Sequence, residues 1–336
     1  MKPQFPSLVG QRVLLIAPRF FGYEKDIQDE LTRRGAAVDF ILDRPFESAF
    51  MKALARFHRA WVMPAADRYM RAAIRDLGQE PYDIVLVING QTLSRAVLAE
   101  LRQRCPDAKF VLYMWDSAAN RSDSIANAHL YDRALTFDRE DAKDHGLVFR
   151  PLFYGPGYAT AAPGEPDLAL SFIGTVHTDR YRIVSELMRQ LPSGQTGWTY
   201  LYLQAPWVFH LQRILNPAFR GARMQEFSFA PLPKAEVQNV FRRSRAILDV
   251  EHSSQRGLTI RTLEAFGAGK KLVTTNAAIR DYDFFKPENI AVIARAAPEL
   301  PSQFLARDYV APSDELYYRY SIAGWMDEVL GDGAAA

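Results

Sequence analysis

The chain has 336 residues, which exceeds a typical single domain and favours two domains of about 150 residues each. Its hydrophobic fraction of 48% and charged fraction of 24% are those of an ordinary globular protein, and a net charge of +2 is too small to indicate nucleic-acid binding. The single cysteine, Cys105, excludes an internal disulfide framework.

Two further observations bear on location. The apolar run at residues 13–17 is too short for a signal sequence and has charged neighbours, and no apolar segment reaches 18 residues. A single cysteine also fits a reducing compartment. We therefore expect a cytoplasmic protein.

In the first half, short apolar runs alternate with helical patterns. The predicted strands are residues 12–18, 37–42, 83–89, 109–115 and 133–137, followed by a segment at 147–154; the predicted helices are residues 23–34, 46–77 with an interruption at Pro64, and 94–104. Because most of these strands are apolar throughout, they predict a mostly parallel sheet with both faces covered.

A composition shift separates this half from the next. Residues 155–166 (GPGYATAAPGEP) contain three glycines and three prolines and no apolar periodicity. We predict a linker at 156–166 between an N-terminal domain, 1–155, and a C-terminal domain, 167–312, with residues 313–336 as a final helix and tail. The second half repeats the α/β pattern, with predicted strands at 168–174, 198–203, 246–250, 271–275 and 289–293 and predicted helices at 180–191, 234–244 and 313–330.

The strand ends of the first half carry candidate acceptor groups. Asp116 follows a buried strand beside Trp115, where its pKa can be raised so that it accepts a proton, and the indole offers a stacking face for a sugar. Asn89 and Gln91 follow the preceding strand and could hold sugar hydroxyls. The alternative is that Asp116 caps the next helix and Trp115 belongs to the core. Asp138, after the fifth strand, is a second candidate base or an ordinary helix cap.

The first strand of the second half ends at a glycine turn. A diphosphate could bind at Gly174 and Thr175, with His177 or Arg180 neutralising the leaving group. The alternative for His177 is a structural role, since a lone histidine is more often structural than catalytic.

The stretch at residues 245–276 is the strongest candidate for a phosphate site. Gly257, Leu258 and Thr259 open a helix directly after a buried strand, so their amides would face a phosphate. Arg261 would add positive charge, and Glu264 could accept hydrogen bonds from ribose hydroxyls. The alternative is an ordinary βαβ unit, with Gly257 as a turn and Glu264 as a solvated residue.

Other motifs set limits on the chemistry. His252 and Gln255, in the loop before this helix, could contact the base or the sugar of the donor. The sequence has no H-E-x-x-H motif, no paired C-x-x-C and no clustered carboxylate and histidine spacing, so we expect no protein-held catalytic metal and no cofactor beyond a donor substrate. A G-x-S-x-G hydrolase elbow is also absent.

Two stretches mix basic and large apolar residues. Residues 51–75 and 207–223 could each lie on an anionic membrane surface. The alternative, with apolar residues in the core and charges in water, is favoured because the overall charge is nearly neutral.

Several segments together resemble a known family. They are YMWDS at 113–117, TFD at 136–138, PLFY at 151–154, SFIGT at 171–175, the run from Gly257 to Glu264, and KLVTTN at 271–276. They resemble bacterial glycosyltransferases of capsular or lipopolysaccharide biosynthesis, including CgeB-like chains. Retaining members usually carry a second glutamate eight positions before the first, and Arg256 stands there in this chain.

This resemblance implies a GT-B fold: α/β, with two doubly wound Rossmann-like domains facing across a cleft. It implies a nucleotide-sugar donor in the C-terminal domain and a surface polysaccharide or lipid-linked glycan acceptor in the N-terminal domain. If the reaction inverts configuration, Asp116 is the expected base. Such an enzyme could contact the inner membrane surface peripherally. Two alternatives are a GT-B-fold sugar-nucleotide epimerase and a non-catalytic binding scaffold.

Overall fold

Two compact units, each built on one six-stranded parallel sheet, make up the chain. The computed structural model describes residues 7–43, 59–78, 80–159, 165–252, 256–301 and 303–331. Of these, residues up to 151 and from 322 onward form the N-terminal unit, and residues from 152 to 321 form the C-terminal unit.

The N-terminal sheet has the strand order β2-β1-β3-β4-β5-β6. Its strands are β1 (Arg12–Ala17), β2 (Ala37–Leu42), β3 (Ile84–Ile88), β4 (Lys109–Met114), β5 (Arg133–Thr136) and β6 (Val148–Phe149). Its helices are α1 (Tyr23–Arg33), α2 (Arg59–Asp76), α3 (Arg95–Arg104), α4 (Ser122–Ala126) and α5 (Arg139–His145). The central strand β3, sequence IVLVI, is buried along its whole length, as the unbroken apolar run predicts for a strand covered on both faces.

The C-terminal sheet has the order β12-β11-β10-β7-β8-β9. Its strands are β7 (Leu168–Thr175), β8 (Gly197–Tyr202), β9 (Phe227–Ser228), β10 (Ser244–Asp249), β11 (Lys271–Thr274) and β12 (Ile290–Val292). Its helices are α6 (Arg180–Arg189), α7 (Pro206–Leu215), α8 (Lys234–Arg243), α9 (Ile260–Gly267) and α10 (Asp314–Arg319). All of its strand pairs are parallel.

The chain then returns to the N-terminal unit through α11 (Ile322–Leu330). Trp325 of α11 is fully buried and packs edge-on against Tyr113 of β4, with ring centroids 4.8 Å apart. The guanidinium of Arg34 bonds to Asp327 at 2.6 Å and to the carbonyl oxygen of Ala323 at 2.6 Å. Aromatic packing and a buried cation therefore join α11 to this unit.

Two helix predictions were wrong in detail. The predicted helix 313–330 is two helices, α10 and α11, because the chain pairs with a distant segment at the break: the amide of Tyr154 donates to the carbonyl oxygen of Tyr320 at 2.9 Å. The predicted interruption at Pro64 is also wrong, since α2 continues through it. A proline inside a helix removes one backbone hydrogen bond and crowds the carbonyl four residues before it, so it can bend a helix without ending it. Residues 44–58, which the prediction placed largely in a helix, lie outside the described residues.

Candidate functional site

Each sheet has one point where the strand order reverses. In the C-terminal unit the chain runs outward through β7, β8 and β9 and then crosses back to β10, so the reversal lies between β7 and β10. Open parallel sheets bind ligands at the carboxyl ends of the strands at this reversal. His177 follows β7 and His252 follows β10, so both candidate histidines lie at the reversal.

The two imidazole rings are neighbours. The ring centroids of His177 and His252 are 4.7 Å apart, with 44° between their planes. Burial, and then the positive charges of Arg180 and His252, lower the pKa of His177 to about 4. His177 is therefore neutral at neutral pH and can offer a hydrogen bond, but not a charge, to a ligand.

The turn that carries His177 is strained. Thr178 has a positive φ of 52°, which is unfavourable for a β-branched residue. The side-chain amide of Asn216 holds this turn by donating to the carbonyl oxygen of Thr178 at 2.6 Å. A strained residue held in this way is typical of ligand-binding sites.

Arg180 has a positioning role. Its guanidinium donates to the carbonyl oxygens of Val250 at 2.5 Å and Thr175 at 2.8 Å, which ties the ends of β10 and β7 together. Burial lowers the pKa of Arg180. Arg180 thus fixes the spacing at the reversal, and its positive charge acts on His177.

Arg295, which the sequence analysis did not identify, forms the ionic centre of this edge. Its guanidinium donates to both carboxylate oxygens of Asp179, at 3.0 and 3.1 Å, and to Glu251 at 2.6 Å. It also donates to the Thr275 hydroxyl at 3.3 Å. Thr275 in turn makes a short hydrogen bond to Glu251. Four strand ends are therefore linked through one arginine.

Hydrogen bonds to the end of β10 fix the start of α9. Thr259 caps the helix by accepting from the Thr262 amide at 3.3 Å. The carboxylate of Asp249, at the end of β10, accepts hydrogen bonds from the hydroxyls of Thr259 at 2.6 Å and Thr262 at 2.7 Å. The predicted strand–turn–helix unit is present, and Asp249 anchors its helix to the strand.

The loop before α9 is held from the neighbouring strand end. The side-chain amide of Asn276 donates to the carbonyl oxygens of Arg256 and Gly257, at 3.3 Å each. Leu258 is buried at 2% exposure. Gln255, predicted to contact the donor, lies outside the described residues.

Glu264 and Arg261 form a pair on α9. Glu264 is only 1% exposed, so the alternative interpretation as a solvated helix residue is wrong. Its carboxylate lies 2.7 Å from the Arg261 guanidinium, and Arg261 lies over the ring of Phe241 on α8 at 5.3 Å. A buried carboxylate needs such a partner, because an isolated charge is costly to desolvate.

In the N-terminal unit, Asp116 follows β4 in a polar surrounding. Its carboxylate accepts from the Ser117 amide at 3.1 Å and from the Asn120 side chain at 3.3 Å. It also pairs with Arg121 at 2.5 Å, and 35% of its side chain is exposed. Asp116 therefore remains accessible to a ligand and is oriented by a cation. Asp138, the second candidate base, caps α5 by accepting from the amides of Glu140 and Asp141 at 3.0 and 3.3 Å.

Asn89 and Gln91 are tied into the backbone around β3. Asn89 is buried in a left-handed conformation, φ 64°, and its side-chain oxygen accepts from the Trp115 amide at 3.0 Å. The backbone amide of Gln91 donates to the Asp43 carboxylate at 2.8 Å. Asp43, a fully buried carboxyl that sequence analysis did not identify, follows β2, and burial raises its pKa. These residues shape the turn after β3.

An aromatic surface adjoins Asp116. The rings of Phe20 and Trp115 lie 5.8 Å apart, and Phe21 contacts Phe20 edge-on at 4.8 Å. Phe20 is 44% exposed and Phe21 61%. Phe21 has a positive φ of 51°, which is strained for a bulky residue. Exposed rings beside a carboxylate are suited to contact a sugar ring, which presents both C–H groups and hydroxyls.

Across the described ranges, no group of three or more His, Cys, Asp or Glu side chains is placed to hold a metal ion. Within the same residues, no helix is both long and apolar enough to cross a membrane.

Comparison with known proteins shows the fold. No protein-family model and no curated protein matches the chain. The apo structure of OtsA matches with a TM-score of 0.56 at 12% identity, covering 96% of this chain and 100% of that one. Anabaena Alr3699/HepE in complex with UDP and glucose matches with a TM-score of 0.54 at 11% identity, covering 95% and 97%. The N-terminal domain of Candida albicans trehalose-6-phosphate phosphatase gives a TM-score of 0.54 at 10% identity, covering 95% and 96%.

These identities show a shared fold and no more. The prediction of an α/β chain with two doubly wound sheets, as in GT-B glycosyltransferases, is confirmed.

Proposed function

We propose that this protein is a glycosyltransferase that moves a sugar from a nucleotide-sugar donor to a surface polysaccharide or a lipid-linked glycan. The observation that carries the proposal is the pair formed by His177 and His252 at the β7–β10 reversal. His252 also lies in the segment that leads to the start of α9. Imidazole N–H groups, helix-terminal amides and partly buried arginines together suit a diphosphate. The GT-B fold and the presence of UDP and glucose in the HepE structure support the same function.

On the donor side, the diphosphate binds the amides of Gly257, Leu258 and Thr259. Arg261 supplies positive charge, and His177 donates a hydrogen bond to the leaving group. Gly174 and Thr175 line the neighbouring strand end, and His252 and Gln255 contact the sugar or the base. No protein-held metal takes part in this proposal.

Glu264 has two possible roles in this site. The family resemblance implies that Glu264 accepts hydrogen bonds from the ribose hydroxyls, whereas its burial favours a role in holding Arg261. A double-mutant cycle with Glu264→Gln and Arg261→Gln separates the roles. If Glu264 acts only through Arg261, Glu264→Gln weakens nucleotide binding in the wild type but not in the Arg261→Gln background. A direct ribose contact gives additive losses.

On the acceptor side, Asp116 accepts the proton of the acceptor hydroxyl in an inverting reaction. Trp115 stacks on the acceptor sugar. Asn89 and Gln91 contribute by shaping the turn after β3, because Asn89 is buried and its side-chain oxygen accepts from the Trp115 amide.

Turnover with nucleotide sugars tests the proposal. The protein is incubated with UDP-, GDP-, CMP- and dTDP-sugars, each with and without glycan acceptors, and nucleotide release and glycan mass are measured. The proposal predicts nucleotide release that requires an acceptor and adds one sugar to it. Conversion of the nucleotide sugar without acceptor indicates an epimerase, and absence of all turnover indicates a scaffold; either result contradicts transfer.

A further inference from the structure

Helix α7 exposes large apolar side chains. Trp207, Leu211, Ile214 and Leu215 are 67%, 43%, 81% and 70% exposed. They lie at positions i, i+4, i+7 and i+8 of the helix, so they share one face. Scattered exposed apolar residues are ordinary, but a continuous face of this size indicates an interaction surface.

The opposite face of α7 is already packed. Phe209 is 1% exposed and contacts the ring of Phe227 with centroids 5.2 Å apart. Phe219, in the turn after α7, is fully buried and stacks near the same ring at 5.7 Å. The helix is thus anchored to the C-terminal unit through one side, and its apolar outer face is not needed for that packing.

The surrounding charge is positive. Residues 187–225 contain no aspartate or glutamate. Arg213 on α7 and Arg220 in the segment after it are exposed, and Arg223 is 76% exposed, with Glu226 at 3.4 Å. We define the α7 surface as Trp207, Leu211, Arg213, Ile214, Leu215 and Arg220.

We propose that the α7 surface docks on an anionic lipid bilayer. An exposed apolar face on a helix, with arginines on and just after the helix and a tryptophan at one end, matches an element that lies in the plane of the membrane interface. The apolar side chains enter the boundary between headgroups and acyl chains, and the arginines meet lipid phosphates.

The positive charge of the α7 surface favours an anionic bilayer over a second copy of this chain. A second copy of this chain would bring the same arginines into contact with each other, because like patches meet in a two-fold interface. An anionic lipid surface has the opposite charge. Membrane docking does not depend on transferase activity, and it is measured without any sugar donor or acceptor.

Vesicle flotation tests this proposal. Wild-type protein is mixed with vesicles of phosphatidylcholine alone or with phosphatidylglycerol added at one part in three. We expect flotation with the anionic vesicles, a clear decrease at high salt, and little flotation with phosphatidylcholine alone. Tryptophan fluorescence should shift to the blue on binding, and brominated lipids should quench it.

Two variants assign the effect to the α7 surface. Trp207→Ser with Ile214→Ser should reduce the partition coefficient by roughly tenfold or more, since each removes a large apolar group that the bilayer would bury. Arg220→Gln should reduce it about fivefold. Val310→Ser, another exposed apolar position in the same unit, and Arg95→Gln, an exposed arginine elsewhere, are the matched controls and should bind as wild type does. Because the substituted side chains are exposed, an unchanged midpoint of thermal unfolding is expected for every variant.

Three results overturn the proposal. The first is no flotation of the wild type, with no quenching by brominated lipid. The second is flotation that the double serine variant leaves unchanged. The third is a wild-type dimer in light scattering that the double variant converts to monomer, without lipid binding by either.

Discussion

The carboxyl edges of the two sheets are built from different chemistry. In the C-terminal unit, Arg295 joins Asp179 and Glu251, Arg180 ties two strand ends, and two imidazoles lie at the reversal. In the N-terminal unit, exposed aromatic rings adjoin an accessible carboxylate.

The difference separates two kinds of recognition. Ionic links between four strand ends fix a site rigidly, which suits a charged diphosphate of constant geometry. Exposed rings and one accessible carboxylate suit a neutral sugar whose hydroxyl must be deprotonated. We therefore propose donor binding at the C-terminal edge and acceptor activation at the N-terminal edge, and each prediction below changes one edge alone.

The largest effect is expected at Asp116. Asp116→Asn keeps the size of the side chain but removes the base and its ion pair with Arg121, so kcat should fall by about a hundredfold or more while nucleotide affinity is unchanged. Steady-state kinetics with calorimetric nucleotide titration checks both parts. Retention of most of the activity would show that the reaction needs no base here.

The ionic centre of the donor edge is the next most sensitive point. Arg295→Gln leaves two carboxylates without their shared cation, and we expect a loss of about 3 kcal/mol in the free energy of unfolding. Chemical denaturation measures it. Arg319→Gln is the control, because the more exposed Arg319–Asp283 pair at 2.9 Å should contribute at most about 1 kcal/mol. Equal losses would argue against a special role for Arg295.

The Arg295–Asp179 pair also makes the free energy of unfolding depend on pH in the acid range. Burial alone would raise the pKa of Asp179, but hydrogen bonds from Arg295 hold it below its ordinary value of 3.8. The stabilisation is therefore complete above pH 3.8 and is lost as the pH falls through the lower folded-state pKa. In Arg295→Gln this component of the acid dependence should disappear.

His177 makes the stability depend on pH in a different window. Its pKa falls from 6.5 to about 4 on folding, so between these values the unfolded chain binds a proton that the folded chain does not. Stability should therefore decrease as the pH is lowered from 6.5 to 4. Thermal unfolding at pH 7 and pH 5 should show a smaller decrease in His177→Gln than in wild type, while the exposed His145→Gln should match wild type. An identical decrease in both variants would refute the assignment.

The smallest effect is expected at the aromatic surface of the N-terminal unit. Phe21→Ala should raise the KM for the acceptor by about threefold to tenfold and leave the KM for the nucleotide sugar unchanged, because one stacking contact is lost. Bisubstrate kinetics measures both constants. A change in the donor constant instead would remove the distinction between the two edges.

The sequence predicted well what depends on local pattern. The apolar runs in β3 and β10 marked buried parallel strands, and Gly257 with Thr259 marked the start of a helix. These features follow from a few neighbouring residues. His177 and His252 were separate candidates because each comes soon after a predicted strand, and their pairing is known only from the structure.

Long-range links could not be predicted in this way. Arg295 pairs with Glu251, 44 positions earlier, and with Asp179, 116 positions earlier. No local window contains both partners. Helix α7 was missed for a different reason: its apolar residues divide between a buried face with Phe209 and an exposed face with Trp207, so no single stripe appears.

The central claim is that the edge of the C-terminal sheet binds a nucleoside diphosphate. Thermal unfolding with UDP, GDP, CDP, CMP, dTDP and ADP, on wild type and on Glu264→Gln, tests it most directly. Gln is preferred to Ala because Glu264 is buried, and truncation would leave a cavity beside Arg261. At a hundredfold excess over its dissociation constant, the correct nucleotide should stabilise the wild type by about 2.7 kcal/mol and the variant by much less. Equal shifts in both proteins, or no shift with any of the six nucleotides, would contradict the assignment of this edge.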